Sequence, residues 1–282
     1  MLRSPLTFIL DSARLLSDRG NIGLIGASKC NEGDWLVVKR DRLEVNLSAV
    51  GDDIVAENAR WSFDGISGSF SAHARRSIPF YDAGHDLICR YSDYFVSPSS
   101  LVYDIGTATG LLAHKIADRN KSKPGVRVIG IDLIPSMIKY CQQQYADHED
   151  LQFVCADAAI FDYEKASLFT CYYVAQFIHP HVRQTLIDRI FQQLHWGGAL
   201  LMFEKVRGPD ARFQDYAAQI YTDFKSDHGY SDSEILGKTR SLKGVLEPFS
   251  TNGNIEMLQR AGFKDIMSVM KWVCFEGFLA IK

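Results

Sequence analysis

The sequence predicts an α/β fold: a seven-stranded, mostly parallel sheet with helices on both faces. Three observations carry this. From Val102 onward, short apolar and β-branched runs alternate with helical stretches, the pattern of parallel strands joined by right-handed crossovers. The first of these runs stops at glycines and passes straight into a helix. The chain closes with two apolar strands joined by a tight turn, which makes that pair antiparallel.

The elements follow in order. Leu101–Asp104 reads as the first strand and Leu111–Ala117 as a helix. Val126–Asp132 is the second strand, mostly β-branched. A helix then opens at Pro135, where the missing proline N–H costs little. Leu151–Cys155 and Ser167–Val174 are the third and fourth strands. Val182–Leu194 is a helix ended by Gly197-Gly198, and Ala199–Glu204 is the fifth strand. Ile266–Met270 and Trp272–Ile281 complete the set. Residues 206–250 interrupt the scheme with a long, polar, helical pattern. Such an insertion either covers the active site of an α/β enzyme or adds a structural helix pair.

Residues 1–55 read differently, as a small accessory segment before a main domain of 56–282. Leu6–Leu16 has a helical pattern, Gly20–Gly33 is loop-like, and Trp35–Arg40 and Leu43–Leu47 alternate as short strands. The run near the N-terminus is broken by Asp11 and lacks a small-residue cleavage site, so a secretory signal is not expected.

Composition bounds the function. Hydrophobic residues make up 46% and charged residues 23%, enough for a real core. The net charge of −3 supplies no global field for nucleic acid. No apolar run approaches the ~18 residues that span a membrane. The six cysteines are scattered without a C-x-x-C pair, which points to reduced thiols in a cytoplasmic protein.

The chemistry begins at Asp104-Ile-Gly106-Thr107-Ala108-Thr-Gly110, between the first strand and its helix. Glycine lets the backbone turn sharply and approach a ligand. A helix N-terminus beyond it offers free N–H groups to a carboxylate or phosphate. Asp132 ends the second strand, where a carboxylate accepts from both ribose hydroxyls. Asp157 follows the third, within reach of an adenine amino group. A nicotinamide dinucleotide would use similar residues, but the G-x-G-x-x-G fingerprint is absent. With the antiparallel C-terminal pair, the run "VYDIGTATG…VIGIDLIPSMI…FVCADA" resembles the class I methyltransferase superfamily, a Rossmann-like fold that binds S-adenosyl-L-methionine.

Further segments resemble one family within it, the carboxy-S-adenosylmethionine synthases of wobble-uridine tRNA modification. These are Trp61-Ser-Phe-Asp64, Arg76-Ser-Ile-Pro-Phe-Tyr81, Gln176-Phe177, Gly197-Gly-Ala-Leu200 and Glu204-Lys205. The most specific is Asp223 to Arg240, with the pattern D-F-K-x-x-x-G-Y-S-x-x-E-I-x-x-K-x-R. The likeness runs from about residue 60 to the end. It implies an enzyme that converts S-adenosylmethionine and prephenate to carboxy-S-adenosylmethionine and phenylpyruvate, acting as a homodimer through the 206–250 insertion. It also implies cofactor contacts from Tyr81, Gly106, Thr107, Ala108, Asp132, Leu133, Asp157 and Ala158. Arg240 falls on an arginine that grips the new carboxylate, a task for which a planar guanidinium is suited. Tyr172 stands where the family has an asparagine that contacts the ligand, so the pocket is reshaped there or Tyr173 or another group takes over. A true methyltransferase on a small molecule or nucleic acid is the competing expectation.

Other candidates are weaker. His179-Pro-His181 has no neighbouring ligand set for a metal and reads as a helix-entry loop. Arg75-Arg76 would suit an acidic substrate or simply be solvated. Trp272, Phe275 and Phe278 read as core strand residues.

Overall fold

The computed structural model describes residues 47–52 and 54–282. The features read at Leu6–Leu16, Gly20–Gly33 and Trp35–Arg40, and nearly all of Leu43–Leu47, lie outside those residues. A short antiparallel pair comes first, β1 (Leu47–Ala49) with β2 (Val55–Glu57). Two helices follow, α1 (Phe70–Ser77) and α2 (Tyr81–Phe95). The alternating region gives β3 (Leu101–Ile105), α3 (Leu111–Asn120), β4 (Arg127–Asp132), α4 (Pro135–Gln144), β5 (Leu151–Cys155) and β6 (Ala166–Tyr172). Then come α5 (Pro180–Gln193), β7 (Leu194–Lys205), α6 (Ala211–Asp227), α7 (Asp232–Ser241), α8 (Thr251–Ala261), β8 (Asp265–Trp272) and β9 (Phe275–Ile281).

The sheet order is β5-β4-β3-β6-β7-β9-β8. The first five strands run parallel, and β9 is antiparallel to both β7 and β8. Strand order therefore reverses between β3 and β6, whose C-terminal ends flank the crevice where open α/β sheets take ligands. Parallel strands covered on both faces read as continuous apolar runs, and every residue of β3 is buried. On one face Val102, Val128, Leu168 and Leu201 pack with Ile88 of α2, Leu112 and Ile116 of α3, and Ile138 of α4. On the other, Tyr103, Ile131, Phe169 and Met202 pack with Leu186 and Ile190 of α5 and Leu258 of α8.

Local chemistry places the helix starts. Pro135 and Pro180 occupy first-turn positions. Asp210 and Ser250 cap α6 and α8 through their side chains, and α7 opens with a reciprocal capping box between Ser231 and Glu234. One boundary differs from the expectation. Gly197-Gly198 does not stop a helix; α5 ends at Gln193 and β7 has already begun. Ala166 pairs with Leu194 and Leu168 with Ala199, so residues 195–198 bulge opposite Ser167 alone. Gly197, at φ +77°, makes that excursion possible. Among the described residues, no helix is long and apolar enough to cross a membrane.

Candidate active site

The loop after β3 is built on a buried acid. Asp104 accepts hydrogen bonds from Thr107 Oγ1 at 2.8 Å and Thr170 Oγ1 at 2.6 Å. Burial still dominates and raises its pKa to about 6. Gly106 has φ +65°, and a Cβ there would lie 2.3 Å from Val174 Cγ2. Only glycine fits, on grounds of both conformation and space. The amide of Thr107 donates to the Ile131 carbonyl at 3.0 Å, and that of Ala108 to Asp132 Oδ2 at 2.9 Å. These two N–H groups are thus engaged within the protein, and the Ala113 amide is directed at Asp104, so the free donors expected at the loop are those of Leu111 and Leu112 at the start of α3. Asp132 Oδ1 accepts from Ile134 N at 2.9 Å, so the carboxylate is fixed at both oxygens, each with a lone pair to spare. Asp157 accepts from Ala159 N through Oδ1 at 2.9 Å, leaving Oδ2 for a ligand.

These acids stand at the adjacent ends of β3, β4 and β5 and open into a cavity of about 760 Å³. Tyr81, Gly106, Thr107, Ala108, Asp132, Leu133, Asp157, Ala158 and Tyr172 all line it. Arg240 does not. From α7 and its C-cap, Lys238, Thr239 and Leu242 line the cavity, whereas the Arg240 side chain is exposed. Arg240, expected to grip a carboxylate, lies exposed and outside the lining of this cavity. Glu234 does not pair with it either, being taken up by the capping box.

Tyr172 is turned away from ligand work at its polar end. Its hydroxyl donates to the Tyr81 carbonyl at 2.7 Å, while its ring lies 4.6 Å from His85 and 5.5 Å from Tyr81 between centroids. Gly84 makes room for it: a Cβ there would be 2.2 Å from the hydroxyl oxygen. Tyr173 also lines the cavity, its ring packed among Tyr172, Phe203 and Phe275. Two buried polar atoms on the cavity wall, His85 Nδ1 and Trp61 Nε1, find no hydrogen-bond partner among the described residues. Burial holds His85 neutral, with a pKa of about 3. Orphaned polar atoms in such a place fit a bound molecule.

The insertion forms the opposite wall. Lys205 from β7, Lys225 from α6 and Lys238 from α7 all line the cavity. Lys238 Nζ lies 2.6 Å from His73 Nε2 and 2.7 Å from Ser77 Oγ, and His73 Nδ1 lies 2.5 Å from Asp52 Oδ2. The Lys205 and Lys225 ammoniums both sit over the Tyr221 ring, 4.1 and 4.7 Å from its centroid. Burial lowers all three lysines, Lys225 to about 8 and Lys238 to about 7. His73 is lowered to about 4, chiefly by burial and then by the charge of Lys238.

Sequence reasoning did not single out His73, His85 or these lysines. Lys205 stands in the Glu204-Lys205 pair, and Lys225 and Lys238 in the Asp223–Arg240 pattern, which was the available signal. The remaining candidates settle as scaffold. Arg75 pairs with Asp82 at 2.7 Å, and Arg76 is held by Asp52 and the carbonyls of His228 and Gly229. His179 caps α5, and no metal-binding cluster occurs among the described residues. Phe275 and Phe278 are buried in β9.

Residues 102–198 match a family model described as a methyltransferase domain. A carboxy-S-adenosyl-L-methionine synthase of Staphylococcus epidermidis is 34% identical over 225 residues, covering 79% of this chain and 97% of that protein. The chain belongs to the carboxy-S-adenosyl-L-methionine synthase family. Synthases of the same description from Campylobacter lari and Helicobacter pylori (strain Shi470) are each 32% identical, covering 86% and 80% of this chain and 95% of each relative. The solved structures show the class I methyltransferase fold. A putative O-methyltransferase from Nostoc punctiforme aligns with a TM-score of 0.54 at 14% identity, over 77% of this chain and 59% of that one. The S-adenosylmethionine-dependent methyltransferase SibL aligns with a TM-score of 0.54 at 17% identity, over 78% and 59%. This is an enzyme of an S-adenosyl-L-methionine-using family, and its residues fit that molecule. The loop excludes a side chain at Gly106, Asp132 has ribose-binding lone pairs, and the volume lies in the ~300–1,000 Å³ range of small-molecule sites.

Proposed function

We propose that the protein is a carboxy-S-adenosyl-L-methionine synthase that uses prephenate as its carboxyl donor. One observation carries this reading: a single cavity extends from the acids at the ends of β3, β4 and β5 to the insertion wall, leaving space for a second small molecule beside the cofactor. S-adenosylmethionine supplies the methyl carbon that is carboxylated. Prephenate loses its ring carboxyl as carbon dioxide and its ring hydroxyl as hydroxide, leaving phenylpyruvate. The hydroxide leaves as water with one methyl proton, and the resulting ylide carbon bonds to the carbon dioxide. Asp132 holds the ribose hydroxyls, Asp157 meets the adenine, and the first turn of α3 takes the cofactor's own carboxylate. The aromatic wall of Tyr81, His85 and Tyr172 keeps water from the reacting carbon.

Incubation with S-adenosylmethionine and prephenate, followed by mass spectrometry of the released nucleoside, tests the proposal. A carboxylated product supports it, and unmodified cofactor alone refutes it. Methyl transfer is the second reading, favoured by Tyr172, whose hydroxyl is committed to the Tyr81 carbonyl where an amide was expected. It predicts S-adenosylhomocysteine as the product. The proposal extends to a cytoplasmic role in tRNA wobble-uridine modification, the product being passed on with no direct nucleic-acid contact by this chain. It also includes a homodimer formed through the insertion, where Phe213, Tyr216, Ile220 and Leu236 are exposed. Sedimentation tests the assembly: a monomer at micromolar concentration contradicts it.

A further inference from the structure

We propose that Lys205, Lys225 and Lys238 form the subsite for the carboxylate groups of the co-substrate, and that Asp52 and His73 hold Lys238 in position for it. The inference rests on the co-substrate being a small carboxylic acid, as proposed above, and assigns the residues that recognise it.

The argument starts from charge. A buried ammonium without a counter-ion is costly, and proteins ordinarily pair it. Lys225 and Lys238 are buried and Lys205 is half-buried. Among the described residues none of the three lies within 4.0 Å of a carboxylate, whereas Lys115, Lys121 and Lys271 each do. Aromatic faces stand in for the missing acids: Tyr221 under Lys205 and Lys225, and Trp61 and Tyr230 beside Lys238. Three cations facing one cavity repel a sulfonium and attract an anion. A ligand carboxylate supplies the counter-charge that the protein withholds.

Lys238 shows how such a group is held. Asp52 fixes the proton of His73 on Nδ1, which leaves Nε2 as an acceptor for the lysine ammonium. Ser77 accepts a second N–H. An ammonium has three, so one remains for a ligand. The charged and titratable groups facing Lys238 are Asp52, His73, Arg76, Lys205, Lys225 and Tyr230. Lys225 faces Lys205, Cys274 and Tyr221. Because Lys238 and Lys225 lose their protons near 7 and 8, carboxylate binding weakens as pH rises through that range.

The test is calorimetric titration of malonate and phenylpyruvate, as non-reacting probes, into the full-length protein saturated with S-adenosylmethionine. Lys225→Met and Lys238→Met should each weaken malonate about tenfold or more, the loss expected for a charge-assisted contact, with cofactor affinity unchanged within about twofold. Lys238→Met removes a buried charge, so the ligand-free variant should melt no lower than wild type at neutral pH. Lys238→Arg, which keeps the charge, should retain most of the affinity. In wild type, malonate binding should decline as pH rises through about 7 to 8, and His73→Phe should move that decline. Unchanged malonate affinity in both methionine variants overturns the proposal. So does a matching loss of cofactor affinity, which would mean that the lysines hold the cofactor's own carboxylate. If wild type binds malonate through the lysines yet forms no carboxylated nucleoside, the subsite stands and the synthase reading falls.

Discussion

Tyr172→Phe removes one atom from the cavity wall, and the structure fixes what that atom does. The hydroxyl donates to the carbonyl of Tyr81, the first residue of α2, at 2.7 Å. A neutral hydrogen bond of this kind contributes about 1 kcal/mol net, within a range of roughly 0.5–1.5. For a chain of this size that is a fall of about 2–4 °C in melting temperature. The same oxygen lies 2.2 Å from where a Gly84 Cβ would sit, with the ring carbons next at 3.0 Å. Gly84→Ala in the wild type therefore overpacks the site, at a cost of about 1–3 kcal/mol. In the Tyr172→Phe background the closest contact is gone, and the helical preference for alanine, about 0.5–1 kcal/mol, offsets the rest. A double-mutant cycle read by urea unfolding should give a coupling of about 1 kcal/mol or more. The reasoning is refuted if Gly84→Ala costs the same in both backgrounds, or if Tyr172→Phe leaves stability unchanged.

Further predictions concern the loop, its buttress and the insertion. Gly106→Ala meets Val174 and adds about 1–2 kcal/mol of left-handed strain; calorimetry should find S-adenosylmethionine binding lost, and partly restored by adding Val174→Ala. Glu204 accepts from the amides of Ala175 and Gln176 at 2.9 and 2.8 Å, so Glu204→Gln turns one acceptor into a donor facing a donor and should cost about 1–3 kcal/mol at pH 6. Burial raises Glu204 to about 8, so its contribution to stability is present at low pH and lost as pH rises through 8; denaturant titrations should show a decline in wild type that Glu204→Gln lacks. Arg240→Ala should leave cofactor affinity and turnover within about twofold, since a surface side chain away from special features contributes little; a large loss of turnover with intact folding would contradict its place outside the cavity.

The sheet was legible because its signals are local. Apolar runs of strand length, a glycine turn and acids at strand ends report on themselves, and the tight turn before Phe275 dictates the antiparallel pair. Gly197-Gly198 was misread because a bulge and a helix stop use the same residues, and only the partner strand distinguishes them. The insertion wall was illegible for a different reason. His73 and Lys238 meet across 165 residues, and a lysine in a polar stretch looks solvated until a second element closes over it. Arg240 shows the limit of a linear pattern. One residue along a helix turns a side chain by about 100°, enough to move it from the cavity lining to the surface.

The most direct measurement is the mass of the nucleoside released after the purified protein is incubated with S-adenosylmethionine and prephenate. A synthase gives a species about 44 mass units heavier than S-adenosylmethionine, the mass of one carbon dioxide, together with phenylpyruvate in equal amount. Recovery of S-adenosylmethionine unchanged, with prephenate intact, contradicts the account.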